Sequence, residues 1–313
     1  MPESRGCFRK ADAWHDVHAV SALTGSARWE GIRRAKPRRL AGIQLANMAR
    51  LRQHWPEYLL EGVALGTFMI SATVFTTLFQ HPASPLSALV RQLPAMRLPL
   101  GAAMGLTAIA LIYSPIGRRS GAHMNPAVTI TFLRLGKIAA ADAVGYALGQ
   151  FAGGLTGLAI AVGLLAGLPS DPSVNFVATV PGPAGTLPAF GAEAAMSFGM
   201  MLAVLWTSGN PRWARYTGIT AGCLVAMFIT LEAPISGMSL NPARTLGSAL
   251  LAHTADSLWI YFTAPPLGML VAAELFVRTR GLTCVRCANL YHHSGTRCIF
   301  NCGCEPVPME TPA

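Results

Sequence analysis

SGAHMNPAVT at residues 120–129 and SGMSLNPART at residues 236–245 decide how this chain is read. Six of the ten positions are identical, and both copies carry Asn-Pro-Ala: Asn125-Pro126-Ala127 and Asn241-Pro242-Ala243. The copies stand 116 positions apart, each preceded by long apolar stretches. A repeated polar tripeptide in an apolar chain points to two related halves meeting at one site. That is the geometry of a membrane channel or transporter, not of a soluble enzyme.

The tripeptide has a local logic. Asn is a strong helix N-cap, because its side-chain oxygen accepts from first-turn amides. Pro suits the first helical position, where its missing N–H is no loss, and Ala continues the helix and packs closely. Each phrase therefore predicts the start of a short helix, with the Asn NH₂ group left free to donate into a lumen.

Composition supports a membrane setting. Of 313 residues, 52% are hydrophobic and 12% charged, against about 25% charged in a typical soluble domain. Six apolar stretches approach the roughly 20 residues a spanning helix needs: about 57–79, 98–116, 138–166, 189–208, 215–234 and 258–278. The two Asn-Pro-Ala phrases sit in shorter apolar stretches near 121–136 and 237–252, too short to cross and so expected to be re-entrant. The predicted fold is an all-α membrane protein with six transmembrane helices and two re-entrant half-helices.

Orientation follows from Lys and Arg. With the N-terminus inside, 21 of the 24 basic residues fall on inner segments and only Arg91 and Arg97 on outer ones. The remaining one, Arg244, follows the second Asn-Pro-Ala directly. Both termini are thus expected in the cytoplasm, with the protein in the plasma (inner) membrane. Because each half holds three spans, an odd number, the second half runs inverted relative to the first. Two half-helix N-termini, each partly positive, would then meet near the midplane and repel cations and hydronium, an established device in selective pores.

Three further residues bear on the site. Each half opens on a span with one acid, Glu61 and Glu193. Acids in spans are rare and face the protein interior, and here they are expected to accept hydrogen bonds from the non-helical backbone leading into each half-helix. A proton relay is the alternative role. Arg244 has Val128 as its counterpart in the first copy. A lone guanidinium in an apolar segment is costly and marks a functional position, the alternative being a snorkelling or ion-paired Arg.

Residues 57–278 closely resemble the aquaporin (major intrinsic protein) family. The resemblance rests on the two Asn-Pro-Ala phrases with Arg after the second only, on Glu61 and Glu193, and on the stretch GYALGQ ending at Gln150. It implies an hourglass pore in each protomer and a homotetramer. It also implies a four-residue selectivity filter of Met104, Ile229, Met238 and Arg244, with Gly105 as the other candidate for the first position. Water-selective members carry an aromatic residue and a His at the first two of these positions, and this chain has neither. Thr245, Ala249 and the pair Tyr261-Phe262 point back toward water channels. The expected function is a passive channel for water and other small neutral solutes, with poor glycerol passage. Ammonia, hydrogen peroxide, polyols and metalloid hydroxides are the solutes an apolar filter would also admit.

The two ends lie outside that resemblance. Residues 1–55 form a basic arm expected to be weakly structured, or to precede the true start at Met48; residues 56–279 form the channel domain, with repeats at about 57–166 and 189–278; residues 280–313 form a tail. The tail holds Cys284, Cys287, Cys298, Cys302 and Cys304 with His292 and His293 between them. On a cytoplasmic tail, disulfides are disfavoured, and thiolates with His at this spacing suit zinc. An unliganded tail is the alternative. Cys7 and Cys223 read as ordinary thiols. No cofactor is expected for the channel, and the partners expected are the solute and the bilayer, with no nucleic acid. The competing functions are an ion-coupled transporter built on the same inverted repeats and a metal- or redox-sensing tail on the channel. An enzyme is the class least supported, as the chain shows no nucleophile–base pair.

Overall fold

The structure is a computed structural model that describes residues 27–292 and 297–302, with side chains described from residue 44. Among the described residues there is no strand. The helices of the first half are α1 (Ala27–Gln80), α2 (Pro85–Val90), α3 (Leu98–Tyr113), α4 (Pro115–Ser120), α5 (Pro126–Arg134) and α6 (Ala140–Leu164). The second half repeats the long elements as α7 (Thr186–Gly209), α8 (Thr217–Leu231), α9 (Ala233–Ser236), α10 (Pro242–Ala252) and α11 (Leu258–Arg280).

Among the described residues, five helices are long and apolar enough to cross a membrane: residues 44–80 of α1, then α6, α7, α8 with its leading turn, and α11 with its own. The second expected span is shorter than the sequence suggests. α3 has 16 residues, about 24 Å of helix at 1.5 Å per residue. It stops because Pro115 cannot extend it; Ser114 turns extended (φ −64°, ψ 160°) and its side chain caps α4 by accepting from the Gly117 amide. The first span departs in the other direction. α1 begins at Ala27, so residues 27–55 of the basic arm are helical rather than irregular. Their run of Ala, Leu, Arg and Gln favours helix whether or not it lies in a membrane.

α1 packs along α6 in the first half and α7 along α11 in the second, a matching pair, while α3 packs along α8 across the two halves. The α1–α6 seam is made of glycines. A Cβ at Gly62 would lie 2.6 Å from the Gly149 carbonyl oxygen, and one at Gly153 or Gly157 would overlap the backbone of Gly62 or Gly66. Small residues let membrane helices approach this closely, where van der Waals contact must replace the absent hydrophobic drive. The outer surface is apolar: Leu106, Leu148, Leu164 and Leu187 are each more than 60% exposed. Such a surface belongs against lipid or another protomer rather than water.

Gln53 of α1 and Arg297 of the tail come together on one face of the helical body, here called the terminal face. The α4–α5 connection lies there too, as does the tail after α11.

Candidate functional site: two helix tips in one cavity

The two phrases do what their residues predict locally. Asn125 and Asn241 are extended (φ −158° and −146°) and cap α5 and α10, each of which starts at its Pro. Asn125 Oδ1 accepts from the Ala127 amide at 2.8 Å; Asn241 Oδ1 accepts from Ala243 at 3.0 Å and Arg244 at 3.3 Å.

The amide ends of these side chains are not both free, as the sequence had suggested. Asn125 Nδ2 donates to the Leu240 carbonyl at 2.7 Å, and Asn241 Nδ2 donates to the Met124 carbonyl at 2.7 Å. Each asparagine thus caps its own half-helix and clasps the residue just before the other half's asparagine. An NH₂ group has two donors, so one N–H of each pair remains for a solute. Sequence reasoning missed the clasp because it joins residues more than a hundred positions apart.

The two acids organise the loops into these tips. Glu61 Oε1 accepts from Ser120 Oγ (2.7 Å) and the His123 amide (3.0 Å), and its Oε2 from the Met124 amide (2.5 Å) and Gln150 Nε2 (2.8 Å). Glu193 repeats the pattern with Ser236 Oγ (2.8 Å), the Ser239 amide (2.6 Å) and the Leu240 amide (2.7 Å). Tyr146 and Tyr261 donate to the carbonyls of Ser120 and Ser236. With its acceptor sites filled by fixed backbone and hydroxyl donors, each carboxylate acts as a bracket. The bracketed backbone is unusual: Ala122, Met124, Met238 and Leu240 all have positive φ, between 47° and 59°. Left-handed non-glycine residues cost free energy and persist where their surroundings over-determine them; the carboxylate bonds to Met124 and Leu240 supply that constraint.

A cavity of about 560 Å³ runs past this junction. Asn125, Asn241 and Arg244 line it, together with Met104, Ile229 and Met238. Gly105, the other candidate for the first filter position, instead packs against α8, where a Cβ would lie 2.5 Å from the Gly222 carbonyl oxygen. Arg244 Nη1 is buried without a hydrogen-bond partner among the described residues, so the guanidinium has donor capacity to offer a solute. Thr245 faces away, bonded to Thr179 Oγ1 (2.8 Å) and Ser239 Oγ (2.5 Å). The cavity extends from Gln80 and Arg97 at one end to Leu290, a tail residue, at the other.

Sequence reasoning also missed buried polar groups near the terminal face. Asp142 is fully buried and bonded to His54 Nδ1 (2.8 Å) and the Tyr58 hydroxyl (2.6 Å), and buried Glu57 pairs with Arg119 at 3.1 Å. Asp142 sits in the first turn of α6, an ordinary helix-start acid by its sequence; only the fold brings His54 and Tyr58 to it.

The tail is folded against the body. Cys287, His292, Cys298 and Cys302 present donor atoms that all lie within 4.8 Å of one another and can hold a metal ion. Cys284, expected in the same set, is disulfide-bonded and not among them. The expectation that a tail thiol would stay reduced rested on compartment alone, which spacing does not reveal. His293 and Cys304 lie outside the described residues, as does Cys7; Cys223 is an exposed thiol on α8. Within the cluster the Cys298 thiol is pushed down, chiefly by a hydrogen bond from Cys287, which is itself pushed up by donating it.

Known proteins share this architecture. The aquaglyceroporin from Plasmodium falciparum matches with a TM-score of 0.56 and 21% identity, over 70% of this chain and 94% of that one. Aquaporin NIP1-2 of Arabidopsis thaliana is 33% identical over 56% of this chain and 60% of its own length. Glycerol uptake facilitator protein-like 6 of Lactiplantibacillus plantarum is 34% identical over 56% of this chain and 82% of its own. The chain thus spans less than two thirds of the plant relative's length. Major intrinsic protein, as a family, matches residues 50–276. With that match covering most of the chain, and with paired half-helices meeting in one cavity, the chain belongs to the major intrinsic protein family of integral membrane proteins.

Proposed function

We propose that the chain is a passive transmembrane channel for water and other small neutral solutes. The observation that carries this reading is the single cavity that meets both half-helix tips and the Arg244 guanidinium. Two partly positive helix ends and one fixed cation discourage cations and protons. The remaining N–H of Asn125 and of Asn241 and the free donor capacity of Arg244 suit a neutral oxygen acceptor.

In this reading Met104, Ile229, Met238 and Arg244 form the selectivity filter. Thr245, Ala249 and the pair Tyr261-Phe262 support water over glycerol, while the apolar filter side chains, with flexible methionines that can yield to a guest, suit small neutral solutes more widely. Glu61 and Glu193 are structural brackets. The basic residues support cytoplasmic termini in a plasma (inner) membrane. The exposed apolar faces suit a homotetramer in the bilayer. The family's channels act without a cofactor.

Stopped-flow light scattering on proteoliposomes tests this directly, with water and glycerol gradients compared. Water flux well above that of empty liposomes, with slow glycerol entry, is expected. Saturable uptake that collapses without an ion gradient would instead establish the coupled-transporter reading, and rapid glycerol entry would refute the weight placed on Thr245 and Tyr261-Phe262.

A further inference from the structure

We infer that Cys287, His292, Cys298 and Cys302 bind one zinc-class ion, and that this ion holds the tail closed over the terminal-face mouth of the cavity. The gating half of this inference rests on the channel reading; the metal half does not.

The donor geometry carries the first half. Cys287 Sγ and Cys298 Sγ are 3.6 Å apart, and Cys302 Sγ and His292 Nε2 are 3.4 Å apart. With Zn–S of about 2.3 Å and Zn–N of about 2.0–2.1 Å, a tetrahedral site has S···S edges of about 3.8 Å and S···N edges of about 3.6 Å. These two edges thus come within a few tenths of an ångström of a tetrahedron's, and every pair of the four donors lies within 4.8 Å. The Asn289 amide also donates to Cys287 Sγ at 3.4 Å, the kind of outer contact that supports a ligating thiolate. Three thiolates and one imidazole, with no oxygen donor, favour zinc over magnesium or calcium.

The tail's seating carries the second half. The ligands bracket the residues that dock. Between Cys287 and His292, the Ala288 carbonyl bonds His123 Nε2 (2.9 Å), Asn289 Nδ2 donates to the Arg118 carbonyl (2.8 Å), and the Leu290 amide donates to the Gly121 carbonyl (3.1 Å). Between Cys298 and Cys302, Phe300 stacks on His123 with centroids 5.4 Å apart, and Asn301 bonds the carbonyls of Lys137 and Gly136. Gly121 makes room for this: it has φ +95°, and a Cβ there would lie 2.6 Å from the Phe300 ring. One ion would therefore tie two docking segments into a single cover. Leu290, 6% exposed, is the part of that cover that reaches the cavity. The residues it docks on flank α5, with Arg118, Gly121 and His123 before it and Gly136 and Lys137 after it, so the cover sits on the element that forms the first tip.

The test uses the full-length protein, purified under reduction, with Co²⁺ and Zn²⁺ as probes. One equivalent of Co²⁺ per chain is expected, with the intense visible bands of tetrahedral thiolate coordination, displaced by Zn²⁺. Cys298→Ser with Cys302→Ser should abolish those bands, whereas Cys223→Ser should not. In proteoliposomes opened to a membrane-permeant chelator, water permeability should rise about tenfold and fall again on adding Zn²⁺; a tenfold change in open fraction needs only about 1.4 kcal/mol of bias. Absence of tetrahedral Co²⁺ bands, or recovery of a Cys287–Cys298 disulfide from reduced protein in place of the metal site, overturns the inference. Metal binding with permeability indifferent to the chelator overturns the gate. If no state conducts water while Co²⁺ binds as described, the channel reading has failed and the metal site stands.

Discussion

The reciprocal asparagine clasp can be tested by a double-mutant cycle. Asn241→Ala removes the cap acceptor for the Ala243 and Arg244 amides, which costs about 0.5–2 kcal/mol. It also strips the Met124 carbonyl of its donor at 2.7 Å, and an acceptor left unpaired in a buried place costs about 1–3 kcal/mol. The expected total is therefore about 1.5–5 kcal/mol. Asn125→Ala loses the equivalent pair, the Ala127 cap and the Leu240 carbonyl bond, and should cost a similar amount. The double variant should cost less than the sum. Once one clasp is gone the two tips are no longer held in register, so the second has less to lose. A shortfall of about 0.5–3 kcal/mol is the range for directly coupled residues. Reversible unfolding in mixed micelles, followed by circular dichroism as denaturing detergent is added, measures all four species. Additivity within about 0.5 kcal/mol would mean that the tips are held independently, and the clasp would then be a coincidence of spacing rather than a join between halves.

Three further outcomes follow from the same geometry. Glu193→Ala leaves the Ser236 hydroxyl and the Ser239 and Leu240 amides without their acceptor; at about 1–3 kcal/mol for each unpaired group, the variant should unfold much earlier on a thermal size-exclusion assay, and an unchanged midpoint would contradict its role as bracket. Gly153→Leu drives a side chain into the Gly62 backbone, where neither helix can yield, and should exceed the about 1–3 kcal/mol typical of overpacking, read as loss of monodisperse protein on extraction. Arg244→Ala should leave the fold intact and raise the ratio of glycerol to water flux several-fold in proteoliposomes; an unchanged ratio would remove Arg244 from the filter.

What was legible in the sequence was what neighbouring residues decide among themselves. Asn-Pro-Ala announces a capped helix because cap, proline and first turn lie within four positions, and α5 and α10 start where those rules place them. Glu61 and Glu193 stood out because an acid in an apolar stretch needs a reason. The clasp between Asn125 and Leu240 was hidden because no local rule states which carbonyl an amide will find across the molecule. The cysteines of the tail were visible as a set, yet spacing could not separate Cys284 from Cys287, since a turn or two of backbone decides which thiol meets His292. Nor could it place Leu290 at the end of the cavity: LeuTyr in a polar tail carries no period, and its burial is decided by the α4–α5 loop it meets. α3 came out short because Ser114-Pro115 acts as both stop and cap, a double reading that hydropathy alone passes over.

The clasp also bears on how the chain is made. Asn125 is inserted with its half-helix, but the carbonyl that takes its amide belongs to Leu240, 115 residues later. At synthesis rates of about 5–20 residues per second, the first tip waits between about 6 and 23 seconds for its counterpart. Through that interval the Met124 carbonyl and the Asn125 amide sit at membrane depth without the partners they later take and with only whatever water enters to bond them, although Glu61 can already hold the Met124 N–H. The first half therefore has to pass through synthesis as a wet, unfinished intermediate, and the arrival of the second Asn-Pro-Ala phrase is the event that finishes both.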